Sequence, residues 1–221
     1  MKLLALDTST EACSVAVDIE GQVFTRFELA PRRHAEIILP MIEQLLSEAA
    51  LEVNDLDAIA FGRGPGSFTG LRIACGVTQG IAFAADLPVV PVSTLAALAQ
   101  GGYRVTGHER IIAAIDARMR EVYWGLFHLT QGGLMQAVSE ERVSALGDLE
   151  LPQGDELWVG IGSGWSTAAP PAQIQPRLCE LKPQVVPDAQ DILTLAKPAY
   201  LQGAYVSTAQ ALPTYLRNKV V

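Results

Sequence analysis

At 221 residues, 49% of them apolar, the chain is long enough for one large domain or two small lobes, each with its own core. Its 24 acidic residues against 16 lysines and arginines leave a formal charge of −8. With no basic run denser than Arg32–Arg33, this excludes a protein that grips nucleic acid unaided through phosphate neutralisation.

The N-terminal segment MKLLALDTST has too short an apolar run for a signal peptide. Leu3 to Leu6 reads as a buried strand, Cys13 to Ile19 as a second that alternates, and Val23 to Leu29 as a third after the turn at Glu20 and Gly21. Pro31 to Ala50 is helical, and Pro40 inside it implies a kink or a late start. Ala58 to Phe61 is a strand and Val89 to Val92 another, after which Ser93 caps a helix through about Ala99.

Between those two strands lies DAIAFGRGPGSFTGLRIACGVTQGIAFAA, an apolar strand, a tight loop and a helix. Four glycines and a proline fall within Gly62 to Gly70, a composition suited to positive φ and close backbone approach ahead of a helix start with unpaired N–H groups. The spelling matches neither a Walker loop, because Leu71 and Arg72 follow Gly70, nor a dinucleotide fingerprint. The loop therefore reads as structural or as a contact surface. In the helix, Gly76, Gly80 and Ala84 share one face, and each interior glycine costs roughly 1 kcal/mol relative to alanine. Close approach of the protein's own sheet or of a partner's helix would compensate.

The second half restarts the pattern. Arg110 to Ile115 is a strand ending at Asp116, followed by Val122 to Leu129 and Leu134 to Val143. LALDTSTEACSVAV lies over AAIDARMREVYWGLF with Asp7 matched to Asp116, which suggests a duplicated βββαβα unit. Leu157 to Ile161 is a further strand, Ala168 to Pro187 an irregular stretch with five prolines, and Asp188 caps a helix through Leu195 or beyond.

Four chemistries are weighed on these residues. Asp7 and Asp116 at hairpin turns suit the magnesium nucleotide of an actin-like ATPase or small-molecule kinase, yet Thr8, Ser9, Ala117 and Arg118 stand where phosphate-binding glycines are wanted. Ser67 in GPGSFTG fails the nucleophile-elbow spelling, which weakens a glycoprotease-like hydrolase. His34, His108 and His128 lie in three elements, so no metal site is expected. The longest uncharged apolar run, Ile73 to Ala85, is shorter than the roughly 18 residues of a membrane span. Cys13, Cys75 and Cys179 form no C-x-x-C pair, and a reducing cytoplasm is the expected location. The fourth reading is assembly. The apolar stripe Ile37, Ile38, Met41, Ile42, Leu45 and Leu46 looks too wide for one contact. With His34 on one helix, and Arg72, Ile73, Gly76, Val77, Gly80 and Ala84 on the next, Ile38, Met41, Ile42 and Leu45 are expected to form half of a four-helix interface.

LALDTSTEACSVAV, GRGPGSFTGLRIA, IDARMREVYWG and the late P-x-YLRN resemble the bacterial TsaB (YeaZ) family, over Met1 to about Tyr123 and again near the C-terminus. The resemblance implies an α/β, actin-like (ASKHA) fold of two lobes, here drawn as 1–104 and 105–221 with the second reduced. It also implies a non-catalytic subunit of the machinery that forms N6-threonylcarbamoyladenosine beside the anticodon of tRNAs reading A-starting codons. That subunit would pair with the catalytic paralogue TsaD, recruit the ATPase TsaE, meet tRNA only through the complex, and form a homodimer when alone. It would hold no cofactor of its own, ATP or ADP being bound at the junction with TsaD or used by TsaE. Asp7, Thr8, Ser9 and Arg118 are the residues such a junction would use for a nucleotide or tRNA contact.

Overall fold

The computed structural model describes residues 1–217, so Asn218 of the late YLRN motif lies outside the described residues. Two compact units divide the chain. The first holds Met1–Ala97 and Pro187–Thr214, and the second Leu98–Val186 with the described residues from Tyr215 onward. The cut expected at 104/105 gave Pro187–Thr214 to the second lobe. The structure places it in the first, because the helix at its start packs on that unit's sheet.

The first unit is built on β1 (Lys2–Asp7), β2 (Ala12–Ile19), β3 (Gln22–Leu29), β4 (Ala58–Gly62) and β5 (Val89–Val92), in the order β3-β2-β1-β4-β5. β1, β2 and β3 form an antiparallel meander, and β4 and β5 run parallel to β1, with Leu6 beside Phe61 and Phe61 beside Pro91. The unbroken apolar run of β1 has a direct cause: both faces are covered. Leu4 and Leu6 join the core under α1 (His34–Glu48) and α2 (Phe68–Ala84), whereas Leu3 and Ala5 join the core under α4 (Ala189–Leu201). α1 starts late, at His34, and carries Pro40 inside. Ser67 caps α2 and Asp188 caps α4, each side chain accepting a hydrogen bond from a backbone N–H of the first turn. Beyond α4, residues up to Thr214 return over the unit: Val206 bridges to Val89, and the Ala211 carbonyl accepts from the Cys75 thiol and the Gln79 amide.

The second unit repeats the topology. β6 (Arg110–Asp116), β7 (Glu121–Leu129) and β8 (Met135–Ala137) form the meander, and β10 (Trp158–Ile161) and β11 (Leu178–Lys182) continue in parallel from β6, giving β11-β10-β6-β7-β8. β9 (Arg142–Ala145) also pairs with β7, so the single strand expected over Leu134 to Val143 is two short ones interrupted at Val138 to Glu141. β11 lies in the proline-rich stretch read as irregular. The helices of the first meander-and-crossover have only short 3₁₀ turns as counterparts here, at Leu146–Asp148 and Ser163–Ser166, so the lobe is reduced as expected.

α3 (Thr94–Thr106), capped by Ser93, outruns its expected end at Ala99. Gly101–Gly102 reads as a stop in sequence. In the fold, a Cβ at Gly102 would sit 2.8 Å from Ile161 and 2.9 Å from Ile111, so the glycine lets the helix lie close on β10 and β6. Among the described residues no helix is long and apolar enough to cross a membrane.

Candidate functional site

The turn after β1 and the glycine loop after β4 are locked together by backbone. Ser9 accepts from the Ser67 N–H through its carbonyl at 2.7 Å, and the Thr8 hydroxyl donates to the Gly70 carbonyl at 2.7 Å. The glycines allow this closeness: a Cβ on Gly66 or Gly70 would run into the carbonyls of Ser9 and Thr8 respectively, and one on Gly62 into the Asp7 carboxylate. Gly64 has φ +107° and bonds Thr94 through both its N–H and its carbonyl. The space that a phosphate would need beside these glycines is filled by the chain's own turn.

Asp7, Thr8 and Ser9 are completely buried. Asp7 Oδ1 accepts from the Ser9 N–H at 2.9 Å and the Ser9 hydroxyl at 2.7 Å, while Oδ2 is buried without a partner. Burial pushes the Asp7 carboxyl up to about 6, against the pull of the two Ser9 bonds and with a further push from Asp188. The neighbouring Cys13 thiol is raised to about 12, mainly by burial and then by Asp7 and Glu28. Burial thus penalises the charged Asp7 carboxylate that a magnesium ligand must be.

In the second unit, the turn between β6 and β7 differs from its counterpart. Arg118, Met119 and Arg120 have φ of +63°, +56° and +63°, three successive left-handed residues, each disfavoured by roughly 1–2 kcal/mol for a side chain with a Cβ. Asp116 holds the turn through the Arg118 N–H at 2.8 Å and its guanidinium at 3.2 Å, and the Arg217 guanidinium pairs with Glu121. Arg118, Met119 and Arg120 are exposed at its tip.

The helix residues expected to meet a partner separate into two groups. Ile38, Met41, Ile42 and Leu45 are sealed in the unit's core with Leu6, Val15 and Phe61, and His34 is buried at the start of α1. The α1 stripe is wide because sheet and α2 both use it. α2 differs. Its Leu71, Ala74, Thr78 and Ala82 face inward, Cys75 and Gln79 carry the returning 206–211 segment, and Ile73, Val77 and Ile81 are half-buried. Arg72, Gly76, Gly80 and Ala84 are exposed, and a Cβ on Gly76 or Gly80 would meet nothing within 4 Å.

Three exposed apolar side chains that the sequence did not single out accompany this stripe: Phe83 (82% exposed), Leu39 on α1 (54%) and Phe68 (42%), with the Arg72 guanidinium 3.9 Å above the Phe68 ring. α2 is apolar nearly all round, so spacing alone could not tell which of its phenylalanines point outward.

Among the described residues no group of three or more histidine, cysteine or acidic side chains is placed to hold a metal. A cavity of about 280 Å³ in the second unit is lined by Arg110, His128, Glu156 and Trp158, and none of the nominated residues reaches it.

Residues 27–216 match the family model described as TsaD: tRNA N6-adenosine threonylcarbamoyltransferase. Two curated relatives, both named tRNA threonylcarbamoyladenosine biosynthesis protein TsaB, align over the whole chain. The protein of Escherichia coli K12 is 40% identical with 96% of its length covered, and that of Haemophilus influenzae is 42% identical with 95% covered. The solved structure of YeaZ from Pseudomonas aeruginosa superposes with a TM-score of 0.93 at 50% identity, covering 97% of this chain and 99% of that one. The agreement extends through the second unit, where the sequence motifs are weakest. With its actin-like fold, its glycine loop locked on the first hairpin and full-length kinship to these proteins, the chain belongs to the TsaB (YeaZ) family.

Proposed function

We propose that this protein is the non-catalytic subunit of the complex that forms N6-threonylcarbamoyladenosine on tRNA, acting by pairing with the catalytic paralogue TsaD and bringing the ATPase TsaE to the pair. The observation that carries this reading is the open face of α2. Gly76 and Gly80 together disfavour the helix by about 2 kcal/mol, and among the described residues nothing approaches them closely enough to compensate. Glycines on an exposed face flanked by Phe68, Phe83 and Arg72 suit a partner helix that comes to backbone distance. Two helices of this length can supply the roughly 800 Å² per partner of a stable interface. The same face would join two copies when TsaD is absent.

The buried Asp7 and the filled space beside Gly66 and Gly70 favour a subunit without its own nucleotide site over an actin-like ATPase. ATP or ADP would then belong to the junction with TsaD or to TsaE. With a charge of −8, tRNA would be held by the complex, and Arg118 and Arg120 at the β6–β7 tip would be this chain's contribution to a shared contact. Cytoplasmic placement follows from that role.

Gly80→Leu and Phe83→Asp test the interface, since both positions are open in the folded unit. Gly80→Leu is expected to melt a few degrees above wild type and Phe83→Asp close to it, and each is expected to lose co-elution with the TsaD paralogue and to fail in threonylcarbamoylation reconstituted with purified subunits. Folded variants that still co-elute and support modification would place the interface elsewhere.

A further inference from the structure

We propose that a second copy of this chain docks on the free edge of β3, through an antiparallel β3–β3′ pairing centred on Phe27. This goes beyond the α2 interface and uses a different surface.

β3 is the edge strand of the first sheet, eight residues paired with β2 without a bulge and without proline. Glu20 and Gly21 make a two-residue turn, so Ile19 and Gln22 close the hairpin. Hydrogen bonds to β2 then fall on Gln22, Phe24, Arg26 and Glu28. The Glu20 N–H to Met1 and Ala30 N–H to Glu11 bonds fix the same alternation at either end. The backbone groups of Val23, Thr25, Phe27 and Leu29 therefore point off the sheet. Of these, the Thr25 carbonyl accepts from the Arg26 guanidinium.

The same residues carry the exposed side chains: Val23, Phe27 and Leu29 are 47%, 46% and 63% exposed on the face that α4 covers over β1, β2 and β4 but scarcely reaches at β3. A long edge strand with apolar side chains and no protecting bulge or proline is a surface that accepts another strand.

The sequence of the edge selects the occupant. With the two-fold axis at Phe27, outward-bonding residues meet outward-bonding residues: Phe27 faces Phe27′ and Thr25 faces Leu29′. On the other face Arg26 meets Glu28′ twice over, joining the Arg26–Glu48 and Arg33–Glu28 ion pairs into one alternating chain of charges. The neighbouring register, centred on Arg26, sets Arg26 against Arg26′ and Phe24 against Glu28′. A single short strand pair buries less than a standard interface, so the dimer belongs to the weak, concentration-dependent class.

Only one residue meets itself in this register, which gives the test. In full-length protein carrying Cys179→Ser, Phe27→Cys is expected to form a covalent dimer under mild oxidation at high protein concentration, since directly opposed strand residues lie within disulfide reach. Leu29→Cys and Val23→Cys in the same background should cross-link only at the level of random collision. Arg26→Glu added to Phe27→Cys should lower the yield roughly tenfold, and Glu28→Arg added to that should restore it. Sedimentation equilibrium with the α2 face blocked gives a second reading: Gly80→Leu is expected to self-associate at high concentration, and Gly80→Leu with Phe27→Lys to remain monomeric. Equal cross-linking at positions 23, 27 and 29, insensitivity to the charge swap, or association unchanged by Phe27→Lys would overturn the proposal.

Discussion

Replacing Asp7 by asparagine separates a structural carboxyl from one that serves a nucleotide. In the folded chain the group is wholly buried, holds Ser9 by two hydrogen bonds through Oδ1, and leaves Oδ2 unpartnered beside Gly62. Burial raises its pKa from 3.8 to about 6. The folded state thus binds this proton more tightly than the unfolded state. The stability from protonation is fully present below about pH 4 and is lost as pH rises through about 6. Two pKa units at 1.36 kcal/mol each amount to about 3 kcal/mol. Asparagine keeps the acceptor for Ser9 and never ionises, so Asp7→Asn should melt at nearly constant temperature across this window while the wild type declines. At pH 7.5 the variant is expected to be the more stable, by up to about 3 kcal/mol or roughly 10 °C, the new amide N–H lowering the gain if it stays unpaired. Thermal melts of both proteins from pH 4 to 8 measure this, alongside co-elution with the TsaD paralogue, which should be unchanged. A variant less stable than wild type at pH 7.5, with parallel pH profiles, would mean that the fold does not penalise the ionised Asp7 carboxylate and would revive the nucleotide reading.

Two further outcomes follow from the packing. Gly70→Ala drives a methyl into the Thr8 carbonyl, where backbone and not a pliable side chain must move, and is expected to destabilise the first unit by about 2–4 kcal/mol in urea denaturation; a change below about 0.5 kcal/mol would show the loop and turn to be separable. Leu45→Glu places a charge where the side chain is wholly buried and should abolish folding, while Phe83→Glu on the neighbouring helix should leave the urea midpoint within experimental scatter; similar losses in both would mean that α2 is covered where it is described as open.

Much of the architecture was legible because its signals are local. β1, β2 and β4 are apolar runs bounded by turn residues, and Asp7 and Asp116 recur at the same point of two hairpins, so the duplication could be read from a fourteen-residue overlay. What escaped depends on distant partners. Gly101 and Gly102 are helix breakers by propensity, yet α3 continues through them because Ile111 and Ile161 need the space a side chain would take. β11 has weak alternation and lies among prolines, and its strand partner is β10, which precedes it by some twenty residues.

The same distinction explains why the helix residues expected to meet a partner divide into buried and exposed ones. A stripe of six apolar positions on α1 records how much neighbour there is, not whose neighbour it is, and the sheet together with α2 consumes all of it. Glycine spacing on α2 carries the complementary information. It states that something must come close, and among the described residues nothing does. A stripe of large side chains is therefore a poor marker of a docking face when its helix lies between a sheet and another helix. A stripe of small ones, on a helix whose core-facing positions are already accounted for, is the better one. In this protein that criterion sets aside the buried Met41 and Leu45 and favours, for the proposed interface, the exposed Gly76 and Gly80 with the two phenylalanines that flank them.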